Sequence, residues 1–219
     1  MRSILTLFMA VAFLLLSGCS EPKNTDAIHL PTVGTRAIIK QYSYEIIAEV
    51  TNVQDNLVKL DYFWHGEKAY SQKFYKGLLP VWSEEDGNIK ELDFQESKVD
   101  EIFPLVTGNE VSFTATMTRL DDGLSQNISV TLSVLKETVM TITGEDHKVF
   151  MIDIARIGEN DYSSYETIYY APDSGMILKA VKRERNSQTF WRILKLEKPE
   201  NDDRSTIRKR QRRSGTIAI

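Results

Sequence analysis

The sequence VSFTATMTRLDDGLSQNISVTLSV, residues 111–134, decides the fold class. Apolar side chains occupy every second position of residues 111–117 and of residues 128–134, and the positions between them are Ser or Thr. Alternation with a period of two is typical of an antiparallel strand with one buried and one polar face. Asp121-Asp122-Gly123 lies between the two runs and is typical of a turn. The stretch therefore predicts a β-hairpin.

The same succession of short strands and turns extends from residue 36 to residue 197. The connecting segments are rich in Asp, Asn, Gly and Pro, and none is long enough to hold a crossover helix between parallel strands. This predicts one all-β, mainly antiparallel domain over residues 36–198. A meander of about ten to twelve strands should curl into a barrel, half-barrel or sandwich. The predicted strands are residues 36–50, 57–64, 69–75, 78–83, 89–94, 111–118, 128–134, 137–143, 148–157, 165–171, 176–183 and 189–197, with a short helix at 96–103.

The first 18 residues have the features of an export signal. Arg2 supplies a positive start, and the 13 residues from Ile4 to Leu16 are almost purely apolar and carry no charge. This run is too short to span a membrane, which takes about 20 residues, but it suits the apolar region of a signal peptide. Leu16-Ser17-Gly18-Cys19 resembles the lipobox of bacterial lipoproteins. The resemblance implies that the chain is cut before Cys19, that its thiol carries a diacylglyceryl group, and that the new amino terminus is acylated.

The anchor sets the expected location. Cys19 is the sole cysteine, so the mature domain has no disulfide. Residues 19–35 are expected to form a lipidated cysteine and a polar tether. In enteric-type lipoproteins Asp after the cysteine favours the inner membrane, whereas this chain has Ser20. The resemblance therefore favours the periplasmic face of the outer membrane. The alternatives are an ordinary secretory peptide and an uncleaved anchor.

Residues 137–196 carry a second resemblance. Here YYAPDSG, residues 169–175, is followed by Lys179. A Tyr-rich strand leading into a Pro-x-x-Gly turn and a basic strand is similar to the C-terminal hairpins of uncharacterised β-rich bacterial envelope lipoproteins. The likeness implies a β-rich fold and an envelope location, and it implies no activity.

Charge is unevenly distributed along the chain. Residues 19–203 hold 20 basic and 31 acidic side chains, a net charge of −11, while residues 204–219 hold six basic and no acidic side chains. An acidic domain argues against a nucleic-acid partner. Residues 199–219 lack periodicity and are expected to be a disordered tail. Its basic cluster could bind anionic lipid, lipopolysaccharide or wall polymer. The alternative is that the tail is solvated and has no role. The cluster consists of Arg208, Lys209, Arg210, Arg212 and Arg213.

Motifs for chemistry are missing from the sequence. His29, His65 and His147 do not have the spacing of a zinc site. No Gly-x-Ser-x-Gly and no Gly-rich phosphate loop occurs. Glu84-Glu85-Asp86 is read as a hairpin loop, although a glycosidase needs only two carboxylates, which sequence cannot pair. We therefore expect no enzyme activity, no cofactor and no metal.

Aromatic residues give a weak signal for binding. Ten of the 21 aromatic residues lie between residues 42 and 94. Neighbours on a strand face opposite sides, so Phe74 and Tyr75 should not both enter one core. Surplus aromatics can line a groove for a glycan, an acyl chain or a partner protein, or they reflect sheet propensity and packing. The candidate groove residues are Trp64, Tyr70, Tyr75 and Trp82.

Together these features predict a non-catalytic, lipid-anchored envelope protein that acts by binding or structural support. Its partners would be the membrane, through Cys19, and another envelope protein, a glycan or a lipid. Two alternatives stay open. A half-barrel that carries a lipid or glycan would need a deep apolar cavity. An envelope hydrolase would need two carboxylates, or a His and a nucleophile, in one cleft.

Overall fold

A computed structural model describes residues 28–184 and 187–199. The predicted signal peptide, Cys19 and the basic cluster of the tail lie outside these ranges. The described chain contains twelve strands and one short helix, and no helix in it is long and apolar enough to cross a membrane. The elements are β1 Arg36–Gln41, β2 Tyr44–Gln54, β3 Leu57–Trp64, β4 Glu67–Tyr75, β5 Leu79–Glu85, β6 Asn88–Asp93, α1 Glu96–Asp100, β7 Glu110–Arg119, β8 Ser125–Ile142, β9 Glu145–Gly158, β10 Ser163–Ala171, β11 Met176–Glu184 and β12 Ser187–Glu197.

The strands form a closed antiparallel barrel. Each strand pairs with the next one along the chain, and β1 pairs with β12 to close the sheet. The closing register places Arg36 opposite Glu197. The all-β fold class and the antiparallel meander are confirmed, and of the three predicted closures the chain adopts the barrel.

The hairpin that decided the fold class is β7 and β8. Val111 lies opposite Leu132, and Phe113 lies opposite Val130. These four side chains are buried, while Ser112 and Thr131 share a hydroxyl hydrogen bond of 2.8 Å on the outer face. The alternation in the sequence thus corresponds to the inner and outer faces of the barrel wall.

Two predicted strand boundaries were wrong. Residues 36–50 form two strands, because Tyr42, with φ of 54°, turns the chain without a Gly, Pro, Asn or Asp at that position. The predicted strands 128–134 and 137–143 are instead one strand, β8, which continues through a bulge between Val134 and Lys136. The predicted helix at 96–103 is shorter and covers Glu96–Asp100.

Antiparallel order gives the barrel two different ends. The terminal end holds residues 28–35 and 198–199, α1, and the turns at 55–56, 76–78, 143–144 and 172–175. The distal end holds the turns at 42–43, 65–66, 86–87, 120–124 and 159–162. Both ends of the described chain therefore lie on the same side of the barrel.

The terminal end is closed by packed turns. The backbone of His29 donates a hydrogen bond of 3.0 Å to the Pro172 carbonyl, so residues 28–31 lie against the β10–β11 turn. Gly77 lies so close to Gly175 that an added Cβ would come within 1.9 Å of the Gly175 oxygen. In the segment that includes α1, Val99 and Ile102 are fully buried.

This closure explains an incorrect expectation about β4. Phe74 and Tyr75 are both buried in one core, although they are neighbours in sequence. The register shifts between Lys73 and Phe74, and the Tyr75 ring packs edge-on against Phe94 at 5.3 Å. The bulge and the turns packed over the terminal end give both side chains an apolar environment. In a regular strand one of the two would face the outside of the barrel.

The barrel interior is filled by side chains. An internal cavity of about 20 Å³ lies between β1–β4 and β11–β12, lined by apolar side chains and by the two close glycines. A space of that size holds roughly one water molecule. The interior is therefore a packed core rather than a channel.

Candidate binding site at the distal mouth

The barrel interior changes from apolar to polar toward the distal end. On β9 the inward positions are Ile152 and Ile154 and then Arg156, all three buried. On β10 the residue opposite Arg156 is Ser164, and the residue opposite Ile154 is Glu166. Charged and hydroxyl groups therefore occupy positions that the alternation reserves for core residues. We call Arg156, Ser164 and Glu166, together with Tyr62 and Tyr70, the mouth cluster.

Arg156 and Glu166 form an ion pair inside the mouth. The Arg156 Nη1 lies 3.5 Å from a Glu166 carboxylate oxygen, and the two side chains are 9% and 11% exposed. A buried pair of this kind gains little net stability, because desolvating two charges offsets their attraction. Its distance is also long for a charge-assisted hydrogen bond. A contribution to the stability of the fold therefore does not explain why Arg156 and Glu166 occupy these positions.

Two stacked tyrosines face the same space. The Tyr62 and Tyr70 rings are 4.2 Å apart and inclined by 14°. Burial, then the neighbouring Tyr70 and then Glu166 raise the pKa of Tyr62. Burial and then Glu85 raise the pKa of Tyr70. Tyr62 and Tyr70 lie opposite each other near the distal ends of β3 and β4, and Arg156 and Glu166 lie toward the distal ends of β9 and β10.

Ser164 has an unusual environment. Its side chain is fully buried, and its Oγ has no hydrogen-bond partner in the described structure. A buried hydroxyl without a partner costs about 1–3 kcal/mol. Groups of this kind in native proteins are commonly met by water or a ligand.

The rim of the mouth is aromatic and acidic. Tyr44 and Trp64 are 55% and 48% exposed, and their rings meet edge-to-face at 5.9 Å. Residues 64–68, 84–88, 119–124, 158–163 and 182–184 hold nine carboxylates and four basic side chains. Three of the basic side chains, Lys68, Arg119 and Lys182, pair with Glu84, Asp122 and Glu184. The carboxylates are Glu67, Glu84, Glu85, Asp86, Asp121, Asp122, Glu159, Asp161 and Glu184.

The structure puts the four predicted groove aromatics in different surroundings. Tyr70 belongs to the mouth cluster and Trp64 to its rim. Tyr75 is fully buried near the terminal end. Trp82 is half-buried and lies under Lys73 at 4.8 Å, on the opposite face of the wall from Tyr70. Two of the four are thus brought together, and a ligand role for any of them stays a prediction.

Tyr75 takes part in a second polar cluster at the terminal end. Its hydroxyl donates to Asp100 at 2.9 Å, and Lys76 Nζ lies 2.6 Å from the same carboxylate oxygen. Burial and the Asp100 bond raise the pKa of Tyr75. The Tyr170 hydroxyl donates to the Lys76 carbonyl at 2.8 Å. These groups satisfy one another, and they join the β4–β5 turn to α1 and β10.

The histidines are scattered. His65 is exposed at a distal turn beside Trp64, and His29 belongs to the segment packed on the terminal end. His147 is buried, and its Nδ1 lies 3.3 Å from Asp173. β9 places His147 against the β10–β11 turn. The described residues contain no group of three or more His, Cys, Asp or Glu side chains that could hold a metal ion.

A larger pocket of about 330 Å³ lies at the terminal end. Its wall includes Ile28, where the described chain begins, as well as Phe103, Phe150 and the Glu137–Lys148 ion pair. It is separate from the barrel interior and from the mouth cluster.

Comparisons with known proteins relate the chain to others by fold. No protein-family model matches the chain, and no curated protein sequence matches it. The fold is similar to that of the hypothetical lipoprotein YmcC from Escherichia coli K12, with a TM-score of 0.53 and 10% identity over 75% of this chain and 85% of that one. A protein with a YmcC-like fold from Bacteroides fragilis aligns with a TM-score of 0.43 and 8% identity over 79% of this chain and 100% of that one.

Sequence reasoning missed Arg156, Ser164 and Glu166, although a signal was present. Along β9, Ile152, Ile154 and Arg156 share one phase of the alternation. A charged residue in the buried phase of a strand is costly unless it has a partner. A search for polar residues that break the apolar phase would have found these positions.

Proposed function

We propose that this chain is a lipid-anchored, non-catalytic protein of the cell envelope that acts by binding at the distal mouth. The observation that carries the proposal is the filled interior. A carrier of lipids or glycans would need a deep apolar cavity of several hundred Å³, whereas the cavity in the barrel interior is about 20 Å³. The pocket of about 330 Å³ at the terminal end lies outside the interior, and its wall includes the Glu137–Lys148 ion pair. A packed barrel supports a rigid scaffold with a surface site better than a container.

The carrier alternative has a direct test. The exported protein, purified in mild detergent, should show only its covalent acyl chains when its mass is measured by native mass spectrometry. A further lipid in stoichiometric amount, released on unfolding and absent from an unrelated lipoprotein prepared in parallel, would favour the carrier.

The anchor suits the geometry of the terminal end. Cys19 precedes Ile28 by nine positions, a distance of about 30 Å at most when extended. Residues 28–31 are fixed against the β10–β11 turn. An anchor at Cys19 would hold the terminal end near the membrane and direct the distal mouth away from it. Two or three acyl chains would make such attachment stable.

We propose the periplasmic face of the outer membrane as the location, because Ser20 rather than Asp follows Cys19. Sucrose-gradient separation of the two membranes tests this. Wild type should fractionate with the outer membrane, and Ser20→Asp should move the protein to the inner membrane. Equal distribution of both forms would remove the sorting argument.

The basic tail is proposed to contact anionic lipid beside the anchor. Arg36 and Glu197 are paired across β1 and β12, and an added Cβ on Gly34 would lie 3.3 Å from the Pro199 Cβ. Gly34 and Pro199, which flank the barrel on its two chain ends, are therefore neighbours. Near an anionic surface each basic residue contributes about 1 kcal/mol.

Vesicle binding tests the tail. A form without Cys19 should bind anionic vesicles weakly at low salt and release them as the Debye length falls below about 10 Å. Replacing Arg208, Lys209, Arg210, Arg212 and Arg213 by Ser should abolish this binding. Binding that survives the replacement, or that does not respond to salt, would count against the tail.

The hydrolase alternative has less support. It would require two carboxylates, or a His and a nucleophile, in one cleft, and the carboxylate of the mouth cluster, that of Glu166, is engaged by Arg156. A non-catalytic role fits this pairing, because the Glu166 carboxylate is already in contact with the Arg156 guanidinium. Release of reducing ends from envelope glycans by the purified protein, lost in Glu166→Gln, would favour the hydrolase.

A further inference from the structure

We infer that the distal mouth binds a neutral saccharide through Arg156, Glu166, Ser164 and the tyrosine pair, with Trp64 and Tyr44 against its ring. The inference deepens the proposed binding role. It does not depend on the anchor, because the mouth lies at the opposite end of the barrel from both ends of the described chain.

The mouth cluster has more hydrogen-bonding capacity than its own members use. The Arg156 guanidinium has five N–H donors. Within the described structure its side chain makes one long hydrogen bond, to Glu166. Ser164 Oγ is buried without a partner. Desolvated donors and acceptors of this kind cost free energy unless something else meets them. A bound polar molecule, with water in its absence, is the physical solution.

The charges in the mouth point to a neutral ligand. Arg156 is balanced by Glu166, and on the neighbouring strand Lys182 lies 3.0 Å from Glu184. Donors and acceptors are thus both present while the net charge of these pairs is zero. A molecule rich in hydroxyl groups matches them, because each hydroxyl both donates and accepts. The acidic rim repels anions, which argues against an acidic glycan or a phospholipid headgroup.

The aromatic rim points to a ring-shaped ligand. Trp64 and Tyr44 are half exposed although they are large and apolar. Exposed apolar surface beside polar groups is typical of a recognition site. The axial C–H groups of a sugar ring form an apolar face that can cover such side chains, while its edge hydroxyls reach the polar cluster.

The three tryptophans provide a test with an internal control. Trp64 lies at the rim, Trp191 faces the interior cavity and Trp82 lies on the outer face. The exported full-length protein, labelled with ¹⁵N-tryptophan and held in a detergent without a sugar headgroup, should give three indole N–H resonances. Titration with a panel of neutral mono- and oligosaccharides should shift the Trp64 resonance saturably and leave that of Trp82 unchanged. Glucuronic acid should bind at least about tenfold more weakly than glucose if charge selects the ligand.

Three variants complete the experiment. Trp64→Ala and Ser164→Ala should each weaken binding of the best sugar by about fivefold or more, while Trp82→Ala should bind as wild type does. Ser164→Ala keeps the assay interpretable, because removal of an unpaired buried hydroxyl does not destabilise the barrel as loss of Glu166 would. The inference is overturned if no neutral sugar of the panel shifts Trp64 saturably, if glucuronic acid binds as well, or if Ser164→Ala binds normally. Those results would leave the anchor and the filled interior untouched.

Discussion

Gly77→Ala tests whether contact between two turns closes the terminal end of the barrel. Gly77 has φ of 67°, and a Cβ there would lie 1.9 Å from the Gly175 carbonyl oxygen. The left-handed conformation costs an alanine about 1–2 kcal/mol. The clash also forces the turns apart, which threatens the 2.8 Å bond from Tyr170 to the Lys76 carbonyl, worth about 1 kcal/mol, and repacking adds about 1–3 kcal/mol.

The expected loss for Gly77→Ala is therefore at least about 3 kcal/mol, or roughly 6–12 °C in melting temperature for a domain of this size. Gly87→Ala is the matched control, because Gly87 has φ of 79° and nothing within 4 Å of an added Cβ. It should lose only about 1–2 kcal/mol. Urea unfolding of both variants measures the difference in free energy of unfolding. Equal losses would show that the close approach of the two turns contributes nothing.

Three further predictions concern the anchor, the tail and alkaline stability. Cys19→Ala should abolish incorporation of labelled acyl chains, and equal label in mutant and wild type would disprove lipidation. Deleting residues 200–219 should lower the melting temperature little, because that segment has no apolar period to pack, and a large loss of cooperativity would show that it belongs to the fold. Burial raises the pKa of Tyr62, Tyr70 and Tyr170, so the barrel retains these protons when the unfolded chain loses them. Stability should be full below about pH 10 and fall above it. Calorimetry across that range should show a smaller fall in Tyr170→Phe, and an unchanged melting temperature would contradict the assignment.

The sequence predicted the barrel wall better than its closure. Alternation between Val111 and Val134 predicts which side of a strand is buried, and β7 and β8 confirm this local prediction. Closure depends on Arg36 meeting Glu197, a pairing between distant residues that no local pattern records. The turn at Tyr42 was missed for a related reason, since its backbone conformation is set by the paired strands on either side rather than by a turn-forming residue.

The candidate site was harder to predict than the fold. The aromatic residues between Tyr42 and Phe94 were visible as a group, yet the structure joins Trp64 and Tyr70 to one site and leaves Tyr75 and Trp82 elsewhere. The partners that complete the mouth, Arg156 and Glu166, come from strands about 90 residues later. β3 and β10 belong to one closed barrel, so the composition of the site follows from topology and not from spacing along the chain.

The pairing of the first strand with the last has a consequence for how the chain folds. β1 and β12 each lack one neighbouring strand until they pair with each other, so the barrel cannot close until nearly the whole domain is available. Contacts between such distant residues form slowly. Until then two sheet edges with unpaired N–H and C=O groups stay open to pairing with other chains. A protein delivered across a membrane from its amino terminus would spend this vulnerable interval outside the cytoplasm. Slow closure and exposed sheet edges would therefore make the folding of this barrel sensitive to association with other chains.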